Sequence, residues 1–140
     1  MKLPLTAAIP GLSLHQLVNN IVSDYLPAAL VHQTRLINEV ERQLVIDNQD
    51  AQAITIISEL LSTVINNSNR GDIHVSAERY GDVIIFNIQE RNNYNGYALS
   101  YSIGAIEPEA VSVGGHIVIR GAQQKVTTIS FSFPIVAQAA

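Results

Sequence analysis

The feature of this sequence that most restricts its fold is a change in the spacing of apolar residues near residue 70. Before that point, in residues 14–25 and 53–65, apolar residues recur at intervals of three and four, which places them on one side of an α-helix. Beyond it they alternate with polar residues, as is typical of β-strands that bury one face. We therefore predict an α/β fold, a two-layer α/β sandwich in which about three helices cover one face of a mixed β-sheet.

Two segments in the first half are predicted to be helical. The first begins after Ser13, which is a suitable N-cap, and stops at Pro27. The second is capped by Asp47 or Asp50 and has the clearest pattern in the chain. Its apolar stripe consists of seven residues: Ala53, Ile54, Ile57, Leu60, Leu61, Val64 and Ile65.

A third, short helix is predicted around residues 103–113. Pro108 can begin such a helix but cannot lie in its interior, and the Gly114-Gly115 pair ends it. The Tyr- and Asn-rich stretch between residues 91 and 101 is assigned no regular structure. In the first half, strands are predicted from Thr34 to about residue 40 and at 44–46. Residues 73–77 and 83–88 are predicted to form a hairpin around Gly81-Asp82. Two last strands are predicted at 116–120 and 126–133.

Length and composition indicate one soluble domain. We take residues 1–11 as a loose N-terminal segment, 12–136 as the domain and 137–140 as a C-terminal tail. Cysteine is absent, which excludes thiol catalysis, disulfides and cysteine-ligated zinc. The 8 basic residues are spread thinly along a chain of net charge −4, so we expect no nucleic-acid partner. No apolar run can span a membrane and the N-terminus lacks a signal-peptide pattern, so we expect a cytoplasmic protein without a membrane partner.

Two stretches resemble the ATP-binding domain of sensor histidine kinases and their gyrase and chaperone relatives. Residues 57–68, ISELLSTVINNS, are similar to the helix that carries the family's asparagine box. Residues 114–135, GGHIVIRGAQQKVTTISFSFPI, are similar to its closing segment, in which a Gly-Gly turn, two strands, a Thr-Thr pair and a terminal proline recur. The resemblance covers about residues 12–136. It implies helices on a mixed sheet, with Mg-ATP between the long helix and a mobile lid.

The resemblance also implies positions for a nucleotide site on the long helix. Glu59 matches a glutamate that, in some branches, positions or activates the attacking group. Thr63 stands where the family has the asparagine that ligates magnesium, an ion that prefers hard oxygen ligands. Asn66 and Asn67 follow one turn later, within possible reach of a phosphate. The bland interpretation is that these residues form only the solvated face of an amphipathic helix.

The glycine boxes of the family are replaced in this chain. Glu90 stands at the position of the aspartate that binds the adenine amino group, and Asn92 and Tyr94 stand at two glycine positions. Ser100 and Ser102 take the glycine positions of the second box. Only residues 95–99 separate the two boxes, so the lid is essentially missing. These changes together argue against Mg-ATP binding, and no cofactor is expected.

The preferred hypothesis is a non-catalytic, histidine-kinase-like signalling domain, a pseudokinase, that binds a protein partner or itself. A response regulator or a kinase hairpin would be such a partner, and the candidate surface is Glu59, Thr63, Asn66, Glu90, Asn92 and Tyr94. The alternative is a divergent but active histidine kinase domain, or an anti-sigma-type serine kinase, with Mg-ATP as cofactor, Glu59 as catalytic residue and Thr63 as metal ligand. A third hypothesis is a helper domain that docks a response regulator.

Overall fold

The computed structural model describes residues 11–47, 51–92, 96–121 and 125–135. These residues form seven strands and five helical segments. In chain order they are β1 (Gly11–Ser13), α1 (Leu14–Asp24), α2 (Leu26–Val31), β2 (Arg35–Asn38), β3 (Val45–Asp47), α3 (Ala51–Asn67), β4 (Asp72–Tyr80), β5 (Val83–Arg91), α4 (Gly96–Gly104), α5 (Glu107–Ser112), β6 (His116–Arg120) and β7 (Thr127–Pro134).

Five of the strands form one mixed sheet in the order β2-β4-β5-β7-β6. The β2–β4 pair is parallel, and the other three pairs are antiparallel. The parallel pair is connected through β3 and α3, because parallel neighbours need a crossover connection. Strands β1 and β3 form a separate antiparallel pair. The predicted fold class is therefore confirmed.

The core lies between the helices and one face of the sheet. Alternate residues of the central strands are fully buried there, among them Phe86, Phe131 and Phe133. The rings of Phe131 and Phe133 stack with centroids 4.8 Å apart. The predicted stripe of α3 supplies the opposite side of the core: all its members are buried except Ile54, which is partly buried, and Ile56 joins it. Burial of this stripe against the sheet contributes to the hydrophobic driving force for the sandwich.

The N-terminal helix was predicted correctly at its start and wrongly at its end. The Ser13 hydroxyl accepts a hydrogen bond from the Gln16 amide at 3.2 Å, as an N-cap does. However, α1 ends at Asp24, and Pro27 lies in the first turn of a further helix, α2. Proline is acceptable there because the first-turn amide has no helical partner to lose. Of the two predicted caps for α3, Asp47 is the last residue of β3 and Asp50 lies outside the described residues.

The hairpin prediction is confirmed, with β4 longer than predicted at both ends and β5 longer at its C-terminal end. The register runs from Asp72 opposite Arg91 to Tyr80 opposite Val83, and Gly81 has a φ of +61° in the turn. That left-handed conformation is one that glycine adopts without a steric penalty.

The prediction for residues 91–113 was wrong in detail. Helix α4 begins at Gly96 within the stretch assigned no regular structure, and the single short helix is two helices, with Pro108 in the first turn of α5. Leu99 and Ile103 of α4 are buried in the core, which explains why this segment folds against α3. The chain then turns at Gly114, which has a φ of +79°, and a Cβ at Gly115 would lie 2.2 Å from the Ser132 carbonyl oxygen.

Candidate functional site

Helix α3 presents its polar side on the face away from the core stripe. Glu59, Thr63 and Asn67 are half-buried there and Asn66 is exposed. The Asn67 side-chain amide donates a hydrogen bond to the Thr63 carbonyl oxygen at 2.8 Å. That bond directs the Asn67 amide back along its own helix and uses one of its two N–H donors.

Glu59 is paired with a carboxyl group that the sequence analysis did not single out. Its Oε1 atom is buried and has no hydrogen-bond partner among the described residues. Burial raises the pKa of Glu59, and the hydrogen bond and negative charge of Glu109 on α5 raise that pKa further. Two carboxyl groups so close hold a shared proton more readily than two negative charges. Glu59 therefore faces Glu109 of α5, and its carboxyl is protonated more readily than that of an isolated glutamate.

Glu90 lies at the end of β5 on the core side of the sheet and is 1% exposed. Its Oε1 atom accepts a hydrogen bond from the backbone amide of Asp72 at 3.1 Å, and the Ser68 hydroxyl hydrogen-bonds to the same carboxyl. The Thr34 hydroxyl in turn donates to Ser68 Oγ at 3.1 Å. This Glu90 network joins the end of α3 to the starts of β2 and β4 and the end of β5.

The protonation of Glu90 reflects this burial. Desolvation raises the pKa of the Glu90 carboxyl, and the hydrogen bonds from Ser68 and the Asp72 amide offset only part of that effect. On the neighbouring strand β7, Thr127 lies opposite Glu90 and is fully buried. The Thr127 hydroxyl donates to the Gly121 carbonyl oxygen at 3.2 Å.

Gly71 completes the Glu90 network because it has no side chain. A Cβ at this position would lie 2.2 Å from Ser68 Oγ and 2.3 and 2.5 Å from the two carboxyl oxygens of Glu90. Such distances are far inside van der Waals contact. The carboxyl and hydroxyl groups therefore occupy the volume that any larger residue at position 71 would need.

Asn92 keeps the backbone conformation that a glycine would have at its position. Its φ is +64°, in the left-handed region that asparagine tolerates better than most residues. Its side-chain amide donates to the Arg70 carbonyl oxygen at 3.1 Å, and Arg70 itself has a φ of +57°. Asn92 thus fastens the end of β5 to the loop between α3 and β4. Tyr94 lies outside the described residues.

Ser100 and Ser102 lie within α4 and are half-buried. The helix begins four residues ahead of Ser100, so neither serine belongs to a loop that precedes a helix. Four residues, 92–95, connect β5 to α4. Of residues 95–99, which were expected to separate the two glycine boxes, 96–99 belong to α4 and residue 95 lies outside the described residues.

The structure groups the predicted residues differently from the sequence-based surface. Glu90 and Asn92 meet at the loop of residues 70–72, whereas Glu59 is paired with α5. The residues that sequence reasoning missed are Ser68, Gly71, Thr34 and Glu109. The inward direction of Glu90 had a sequence signal, since it continues the period-two pattern of buried residues along β5, but its partners come from elements remote in the chain.

A histidine on the open face of the sheet, the face away from the helices, lies between two carboxylates. His74 Nε2 is 3.3 Å from Asp72 Oδ2, and Nδ1 is 3.3 Å from Glu39 Oε1. Burial acts to raise the pKa of Asp72, but the hydrogen bond from His74 and the charge of Arg35, which is 3.3 Å away, outweigh it, and this pKa is lowered. Among the described residues no cluster of three or more His, Asp or Glu side chains is arranged to hold a metal ion.

The described residues also contain cavities away from these positions. One of about 350 Å³ is lined by Glu41, Glu78 and Tyr80 at the far end of β4, and one of about 220 Å³ lies between α3 and α5 beside Thr55 and Glu109. Neither is lined by a site residue predicted from the sequence. No helix within the described ranges is long and apolar enough to cross a membrane.

No protein-family model matches this sequence, and no curated protein does. Solved structures do match its fold. The histidine kinase AdeS of Acinetobacter baumannii superposes with a TM-score of 0.71 at 11% identity, over 91% of this chain and 67% of that chain. Full-length ShkA in complex with AMPPNP superposes with a TM-score of 0.74 at 12% identity, over 95% of this chain and 32% of that chain.

The nucleotide-free catalytic domain of histidine kinase ThkA superposes with a TM-score of 0.67 at 12% identity, over 89% of this chain and 95% of that domain. ThkA has also been solved in complex with the response regulator protein TrrA, and that structure superposes with a TM-score of 0.64 at 13% identity, over 90% of this chain and 41% of that chain. The chain therefore has the fold of histidine kinase catalytic domains. The resemblance stated from the sequence is confirmed at the level of the fold, and fold alone does not assign an activity.

Proposed function

We propose that this domain is a signalling module with the histidine kinase catalytic fold that acts by binding a protein partner, and that it does not use Mg-ATP. The observation that carries the proposal is the burial of Glu90. A carboxyl that binds the adenine amino group has to face the nucleotide, whereas this one is 1% exposed and accepts hydrogen bonds from Ser68 and the Asp72 amide.

The residues at the metal and phosphate positions support the same proposal. The metal position is taken by Thr63, whose hydroxyl oxygen lies closer to the backbone than the amide oxygen of an asparagine would. The Asn67 amide is engaged with the Thr63 carbonyl oxygen, and Glu59 is paired with Glu109. We infer that these residues do not fit Mg-ATP.

Nucleotide binding is tested by thermal unfolding of the whole chain with Mg-ATP, with Mg-ADP and without nucleotide. A ligand at one hundred times its Kd stabilises a protein by about 2.7 kcal/mol, which corresponds to several degrees in Tm. We expect no shift at millimolar nucleotide, and none in the Thr63→Asn variant. A shift that grows with concentration would reject the proposal in favour of a divergent active kinase.

The proposed partner is a component of two-component signalling, such as a response regulator or the histidine hairpin of a kinase. The complex of ThkA with TrrA supports this class, since a protein of the same fold binds a response regulator. Self-association is the other form of protein binding, and light scattering distinguishes the two. A monomer that binds no receiver domain or kinase hairpin at any tested concentration would contradict this part of the proposal.

A further inference from the structure

The open face of the sheet divides into two halves that differ in charge. Over β2 and β4 it carries carboxylates, namely Asp72, Glu78 and, just after β2, Glu39. Over the described strands β5, β7 and β6 its outward residues include no carboxylate. The reason is that Glu90 points inward and that the sequence contains no Asp or Glu after Glu109.

Two arginines that are 29 positions apart in the sequence are brought together on this second half. In the register, Arg120 of β6 lies opposite Thr128 of β7, which lies opposite Gln89 of β5, and Arg91 is two residues further along β5. With strands about 4.8 Å apart and a rise of about 3.3 Å per residue, the two arginine Cα atoms are about 12 Å apart. Both side chains are exposed.

Each guanidinium group donates to a neutral neighbour on its own half of the face, and Arg91 also lies opposite the Asp72 carboxylate at the edge of the other half. Arg91 Nε donates to Gln89 Oε1 at 2.7 Å. Arg120 Nη2 donates to Ser130 Oγ at 3.4 Å, and Ser130 donates to Asn87 Oδ1 at 2.6 Å. A guanidinium has five N–H donors, so each bond fixes the direction of the group and leaves donors for an acceptor from outside.

We propose that this arginine face, defined by Arg91 and Arg120 with Asn87, Gln89, Thr128 and Ser130, binds an acidic segment of the protein partner. The inference rests on the proposed function and specifies the chemistry of that partner. In an extended segment, acidic residues at positions i and i+4 lie on one side about 13 Å apart, which matches the separation of the two arginines. Each carboxylate can accept two parallel hydrogen bonds from one guanidinium.

The same surface is poorly suited to nucleic acid. Proteins that bind nucleic acid tightly commonly contact about six to ten phosphates, whereas this face has two arginines, and its outward residues on the described strands include no Phe, Tyr or Trp on which a base could stack. The charge pattern therefore favours a short acidic protein segment over a polynucleotide.

The probe for the test is fluorescein-labelled poly-L-glutamate, with a neutral Gly-Ser peptide of equal length as control, measured by fluorescence anisotropy with the full chain. The test variant combines Arg91→Gln and Arg120→Gln. The matched control combines Arg42→Gln and Arg79→Gln, which remove the same charge from two exposed arginines outside the arginine face, one between β2 and β3 and one near the far end of β4. We expect the test variant to weaken binding at low salt by about tenfold and the control to change it by less than about twofold. Arg91→Lys, which keeps the charge but not the planar group, should give an intermediate loss.

Four results would overturn the inference: no binding of poly-L-glutamate at low salt, equal losses in the two double variants, tighter arginine-dependent binding of a single-stranded DNA of equal charge, or a dimer that only the test variant dissociates. The last two would assign the face to nucleic acid or to a second copy of the chain. Unchanged Tm values of the variants exclude unfolding as the cause. A thermal shift with Mg-ATP would reject the proposed function and leave the poly-L-glutamate result unaffected, so the two failures are distinguishable.

Discussion

Replacing Gly71 with alanine should destabilise the protein strongly, although alanine is usually a conservative replacement for glycine. The added methyl group would lie 2.2 Å from Ser68 Oγ and 2.3 Å from Glu90 Oε1. Both atoms belong to buried side chains that are hydrogen-bonded to each other and to their neighbours. Relief of the contact therefore requires Glu90 to leave the Asp72 amide, or Ser68 to leave Glu90 and Thr34.

The expected loss combines two terms. A buried donor or acceptor left without its partner costs about 1–3 kcal/mol, and an extra methyl group in a filled site costs about 1–3 kcal/mol. The same movement of side chains relieves the steric contact and breaks the hydrogen bond, so the two costs overlap. We therefore expect a net loss of about 3 kcal/mol in the free energy of unfolding. For a domain of this size that corresponds to a fall in Tm of roughly 10 °C.

Urea unfolding followed by circular dichroism measures the effect, and a double-mutant cycle tests its cause. Glu90→Ala removes the carboxyl that the new methyl group at position 71 would strike, so Gly71→Ala should cost at least about 1 kcal/mol less in the Glu90→Ala background than alone. Gly104→Ala is the matched control, because a Cβ at Gly104 meets nothing within 4 Å and should change stability by less than about 0.5 kcal/mol. A neutral Gly71→Ala, or strictly additive changes, would refute the assignment of this volume to the Glu90 network.

Three further changes are expected to alter stability. Gly115→Ala should lower the free energy of unfolding, measured in urea, by more than about 3 kcal/mol. The added Cβ would lie 2.2 Å from the backbone oxygen of Ser132, which no rotamer change can move. A smaller loss would mean that β7 shifts freely. Asp72→Asn should destabilise at pH 7, because the lowered pKa of Asp72 means that its ionised carboxylate stabilises the folded protein above the usual pKa of 3.8. The difference in Tm should shrink as pH falls from 3.8 through the lowered pKa, and a pH-independent difference would contradict this. Glu59→Gln should stabilise the protein above neutral pH and have little effect at pH 4, because the raised pKa of Glu59 means that its ionisation beside Glu109 is unfavourable. Calorimetry at the two pH values tests this prediction. A loss of stability at high pH would contradict it.

The parts of the fold that the sequence predicted are those whose signals are local. The α3 stripe and the β4–β5 hairpin each repeat their pattern over many residues, and Ser13 lies directly before the helix that it caps. Strand β1 was missed because its partner, β3, lies more than thirty residues away, and three residues carry no readable period. Helix α2 was missed because Pro27 was interpreted as a stop, although a proline also fits the first turn of a helix.

Helix α4 was missed for a different reason. It has no charged residue in its first or last turn, and Tyr97 and Tyr101 are exposed on it, so its apolar residues do not form a one-sided stripe. Its position is set by Leu99 and Ile103, which fill the core beside α3. Tertiary packing therefore determines that this segment is helical, because the spacing of its apolar residues is ambiguous.

For the candidate site, the sequence identified positions but not neighbours. Glu90 could be placed on the core side from the period of two along β5, yet only the register of β4 against β5 brings it to the Asp72 amide. The pairing of Glu59 with Glu109 depends on how α5 lies against α3, for which no local pattern exists. Arg91 and Arg120 are likewise far apart in the sequence, so their position on one face of the sheet could not be predicted before the register of β5, β7 and β6 was known.

Because Gly71 and the Glu90 carboxyl compete for one volume, the effect of a substitution at either position depends on the residue at the other. Shortening Glu90 first opens the room that a larger residue at 71 requires, while the opposite order passes through an unstable protein. Exchange of Glu90 for aspartate withdraws the carboxyl by one methylene and strands the Asp72 amide. An aspartate at position 90 would still point into the core, and it would cost stability unless another group bound the Asp72 amide.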